Sequence, residues 1–68
     1  MNAPSDMEIL RAAALMIKQH GDAASSVARQ RAAEFGEKKD LQGAEVWRRM
    51  VEAIDLLDAA DKNRGQGH

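Results

Sequence analysis

The chain has no cysteine, no tyrosine and no threonine, and only one proline, one tryptophan and one phenylalanine. Each scarcity removes a class of protein. Without cysteine there are no disulfides and no thiolate metal sites. With so few aromatic and β-branched residues (Ile9, Ile17, Val27, Val46, Val51 and Ile54) a sheet is disfavoured, and the abundant alanine favours helix. No run approaches the roughly 18 apolar residues of a membrane span. The opening "MNAPSDMEIL" is acidic where an export signal would be basic. The expected protein is soluble, unexported and cytoplasmic.

What is present is 68 residues with ten basic and eleven acidic side chains. That length holds one small domain, which buries only about 60% of its unfolded surface. Small domains of this kind rely on regular helix packing, self-association or docking on another protein. The net charge of −1 does not favour indiscriminate nucleic-acid binding, yet the charges are uneven. Arg29, Arg31, Lys38 and Lys39 outnumber Glu34 and Glu37 in one segment. In the next, Asp40, Glu45, Glu52, Asp55, Asp58 and Asp61 outnumber Arg48 and Arg49.

The periodicity predicts an all-α, three-helix, up-down-up bundle, with helices over about residues 6–20, 23–37 and 41–60. A frayed lead (1–5) precedes it and a disordered tail (61–68) follows, because "DKNRGQGH" has no apolar residue. Ser5 or Asp6 caps the first helix and Gly21 ends it. Met7, Ile9, Leu10, Ala13, Ala14, Met16 and Ile17 share its apolar arc. Asp22, or Ser25 or Ser26, caps the second, whose stripe is Ala24, Val27, Ala28, Ala32 and Phe35. Gly36 and the polar run after it end that helix. Asp40 caps the third, where Gly43, Trp47, Met50, Ile54 and Leu57 repeat at steps of four and three. Trp47 is the expected packing anchor. Arg48 and Arg49 point outward, within an (i, i+4) step of Glu52 and Glu45 respectively.

No constellation points to catalysis, a cofactor or a metal. His20 and His68 are far apart, Asp55, Asp58 and Asp61 have no loop to wrap an ion, and the serines sit where capping explains them. The glycines form no phosphate-binding loop. The expected role is therefore non-enzymatic: protein–protein interaction or homo-oligomerisation, a homodimer being one form, through Leu15 and Leu56, aliphatic residues on polar faces, with Arg48 and Arg49 around them. The rival is a small regulator of nucleic acid or a nucleoprotein, of the antitoxin or phage-inhibitor kind. Arg29, Arg31, Lys38 and Lys39 would then contact phosphates. An acidic third helix argues against that rival, since in helix-turn-helix proteins a helix enters the major groove.

Two segments carry a resemblance. "IKQHGDAA" and "KKDLQGAEVWRRMVEAIDLL" together resemble a family of short all-helical alphaproteobacterial proteins of unknown function, over about residues 7 to 57. Gly21, Asp40, Gly43, Ala44 and Trp47 carry the likeness. It implies a bacterial cytoplasmic protein and assigns no activity. Residues 27 to 57 also resemble a single tetratricopeptide hairpin, and one repeat alone forms no peptide groove.

Overall fold

The computed structural model describes residues 4–66, with side-chain surroundings through residue 61. Helix is the only regular structure among the described residues, but its layout differs from the expected three-helix bundle. The described residues form two helical segments. The first, α1, runs from residue 6 to residue 37 as two limbs, Asp6–His20 and Ala24–Glu37, joined by the single 3-10 turn Gly21–Ala23. The second, α2, spans Leu41–Gln66.

The correction has a local cause. No loop separates the limbs, because helical hydrogen bonding passes through the bend. The Gly21 N–H still donates to the Ile17 carbonyl, and the Ala24 N–H donates to the Gly21 carbonyl. The bend is made by Gly21 alone, at φ 56 and ψ −129, a conformation open to glycine and strained for residues with a Cβ. Asp22 therefore has no helix start to cap. The second limb has Ala23 at its N-cap position, without a side-chain cap.

Both limbs pack more extensively on α2 than on each other. Asp6 lies against Arg49 and Leu10 beside Leu56, so the first limb ascends along α2. The second limb descends, with Ser25 against Asp55 and Phe35 against Gly43. The molecule measures 45 × 22 × 16 Å. Its long axis is that of α2, whose 26 residues span about 39 Å.

The ends of the segments are chemically defined. Ser5 and Glu8 form a capping box: the Glu8 N–H donates to Ser5 Oγ at 3.2 Å and the Ser5 N–H donates to Glu8 Oε1 at 3.1 Å. Each satisfies a donor that the first turn leaves free. In the expected lead, Ser5 thus makes these two bonds and the Pro4 carbonyl accepts from Arg49. Gly36 does not stop the second limb. Lys39 does, at φ 62. Its N–H donates to the Gly36 carbonyl at 3.0 Å, and the Asp40 N–H donates to the Phe35 carbonyl at 2.9 Å, the two bonds of a Schellman ending. Asp40 then caps α2 through Oδ1, which accepts from the Gly43 N–H at 3.0 Å. Helix α2 passes the expected end at 60 and remains helical through Gln66, since extending an established helix adds one hydrogen bond per residue fixed. The rest of the expected tail, residues 67–68, lies outside the described residues, as do residues 1–3 of the lead.

The core contains Ile9, Ala13, Ala24, Ala28, Met50, Ala53 and Ile54. Ile54 is the only large side chain among the described residues to be fully enclosed. The alanines let the limbs approach α2 closely but bury little side-chain area. Met7 and Ala14, expected inside, are exposed, because the first limb turns only a narrow arc toward α2. Trp47 is half-buried and packs against the core from its edge.

Candidate docking grooves

Two open grooves flank the contact between the first limb and α2. One, of about 290 Å³, has Ile9 and Leu10 on one wall and Arg49, Glu52, Ala53 and Leu56 on the other. The other, of about 320 Å³, is lined by Pro4, Glu8, Ile9, Ala12, Val46, Trp47 and Met50. Both expose mainly apolar surface. They are products of the fold: the first limb buries only Ile9 and Ala13 and leaves its own flanks open.

The structure separates the residues picked out as partner-binding. Leu56 is 65% exposed and borders the first groove. Leu15 is 53% exposed and lines neither groove, so the two leucines do not form a common patch there. Arg48 Nη1 pairs with Glu45 Oε2 at 3.3 Å, one residue closer in sequence than the expected partner Glu52.

Arg49 has a different role from the one its local sequence suggested. Its side chain is 27% exposed. Nη2 donates to Asp6 Oδ1 at 2.7 Å and Nη1 donates to the Pro4 carbonyl at 2.9 Å. The guanidinium fork thereby fastens the start of the first limb to the middle of α2, a geometry suited to arginine and not to lysine. It also forms the rim of the first groove.

The basic residues of the nucleic-acid alternative each have a local contact or backbone role. Arg29 Nη2 lies 3.6 Å from Asp55 Oδ2, and Arg31 Nη1 lies 3.3 Å from Glu34 Oε1. Lys38 sits over the Phe35 ring, 5.9 Å from its centroid. Lys39 is the left-handed residue of the helix ending. Asp55 also accepts from Ser25 Oγ at 3.1 Å. Acidic residues near the end of the third predicted helix had no evident purpose in the sequence. Asp55 now has one, as the attachment point of the second limb, and it is mid-helix because α2 extends well beyond it.

Sequence reasoning missed Leu41 and Met7 as surface features. They are 74% and 60% exposed. For Leu41 a signal was available: it directly follows the Asp40 cap, in the first turn of a helix, and lies on the same wheel sector as Leu56. Among the described residues there is no group of three or more histidine, aspartate or glutamate side chains placed to hold a metal ion. No helix there is long and apolar enough to cross a membrane. In comparisons with known proteins the chain matches no family model, no curated protein and no solved structure.

Proposed function

We propose that this chain is a small, non-enzymatic interaction module of the cytoplasm, which docks a partner helix in the groove beside Leu56. One observation carries the reading. An open, mainly apolar groove is flanked by an exposed leucine, and two of its three charged lining residues, Arg49 and Asp6, are already paired with each other, with Glu52 the third. A groove of this type suits the apolar face of an amphipathic helix, read through side chains spaced by three and four. That pairing lowers the cost of covering those two charges, because neither is left alone when water is excluded. A cysteine-free chain suits a reducing compartment.

Photo-crosslinking in the native cell tests the reading. A photoreactive residue replacing Leu56 should yield specific adducts, whereas one replacing Gln30, exposed on the second limb, should not. Equal labelling from both positions, or none from position 56, would refute groove docking.

A further inference from the structure

The outer face of α2, which neither limb covers, carries a strip of charged side chains with a leucine at each end. Leu41, Glu45, Arg48, Glu52 and Leu56 follow one another at steps of four, three, four and four. At 100° per residue they lie within an arc of about 80°. All five are exposed. The order is leucine, acid, base, acid, leucine. Leu41 and Leu56 are also the two most exposed large apolar side chains among the described residues. Laid end to end on its own reverse, this strip would set Glu45 against Glu52 and Arg48 against itself, so an antiparallel two-fold pairing, in which every contact occurs twice, needs a register shifted along the helix.

From this pattern we infer that the occupant of the groove beside Leu56 is a second copy of the chain, seated antiparallel so that Leu41 of each copy enters the groove of the other. Two observations converge on one register. Arg49, Glu52, Ala53 and Leu56, the α2 wall of the groove, stand at positions i, i+3, i+4 and i+7. Four residues at that spacing form the hole that receives a knob from a facing helix. The register that sets Leu41 opposite Glu52, in the middle of this hole, also sets Arg48 opposite Glu45 of the partner. Two reciprocal ion pairs then form across the two-fold, with no charge of either copy held against its like at those positions. A parallel pairing in register would instead put Glu45 on Glu45 and Arg48 on Arg48. Leu10 forms the far wall of the groove and covers the inserted leucine from the side.

This inference rests on the groove-docking reading and narrows it to one partner. Sedimentation equilibrium of the full chain, from micromolar to millimolar, tests it. The wild type should pass from monomer to dimer. Leu41→Glu should remain monomeric throughout while keeping its helical circular dichroism, because residue 41 touches little of its own fold. Arg48→Glu should weaken association at least tenfold. The double variant Glu45→Arg, Arg48→Glu, which restores both reciprocal pairs with the charges exchanged, should recover it. A wild-type dimer indifferent to Leu41→Glu, or a double variant no better than Arg48→Glu, overturns this arrangement and leaves self-association standing. A wild type monomeric at every concentration overturns the inference. If position 56 still crosslinks to a different protein, groove docking survives that result.

Discussion

At the scale of single residues, Ile54 and Trp47 exchange the roles their sizes suggest. Ile54 is fully enclosed where both limbs meet α2. Trp47 sits at the edge, one side against the core and the other lining the second groove. Truncating an enclosed isoleucine costs about 2–5 kcal/mol, and truncating a core tryptophan about 3–5 kcal/mol. With its ring only partly enclosed, Trp47→Ala should cost about 2 kcal/mol, less than Ile54→Ala at about 3–4 kcal/mol. Urea unfolding followed by circular dichroism ranks the two. A tryptophan variant less stable than the isoleucine variant would make Trp47 the true centre of the core. Arg49 teaches a related lesson. From sequence, a nearby Glu45 was partner enough for it. In the structure Glu45 pairs with Arg48, and Arg49 reaches Asp6, 43 positions away. Local spacing cannot reveal a partner that only the fold brings near.

At the scale of elements, two glycines of equal appearance have opposite meanings. A Cβ at Gly43 would lie 2.6 Å from Cδ1 and 3.0 Å from Cγ of Phe35, and 3.0 Å from Asp40 Oδ2. At Gly36 it would meet nothing within 4 Å. Gly36→Ala should therefore gain the usual helix advantage of alanine, about 0.5–1 kcal/mol. Gly43→Ala should instead destabilise by about 1–3 kcal/mol, since the Phe35 ring must leave its seat on α2. Thermal unfolding of both variants decides the matter, and stabilisation at position 43 would mean that the ring moves freely. The sequence stripe did contain Gly43, as an inward position of α2, but not its reason. The caps were legible for a simple cause: Ser5 and Asp40 each find their acceptor role three residues away. The bend at Gly21 was legible as a stop and illegible as a continuation, because a glycine that ends one helix and a glycine that kinks a longer one look alike in sequence. The second limb ends at Glu37, at the expected bound and inside the polar run expected to end it. Gly36 invites the left-handed role, yet Lys39 takes it, held by the bonds that close the turn into Asp40. Of the candidate site, Leu56 could be read from its misplacement on a polar face. The groove beside it depends on how little the first limb fills, and that is a property of packing rather than of pattern.

At the scale of the whole molecule, the composition of the core bears on association. Ala13, Ala24, Ala28, Ala44 and Ala53 make up most of the buried residues, with Ile9, Met50 and Ile54. Alanine brings helices together without removing much apolar area from water, so a chain of this length starts with a thin margin of stability. A partner that binds only the folded form adds to that margin by mass action. For a two-chain assembly that unfolds to monomers, each tenfold rise in concentration contributes about 0.7 kcal/mol per chain, which for a domain of this size raises the melting midpoint by roughly 3–6 °C. The wild-type midpoint should accordingly climb with concentration once the dimer is populated. The Leu41→Glu midpoint should stay level and coincide with the wild-type value at the dilute end, because the substitution leaves the monomer's own packing untouched. Scanning calorimetry over a hundredfold range measures both curves. Two flat, superimposed curves would show that the folded monomer is stable without help, and would place the cause of the exposed leucines outside self-association.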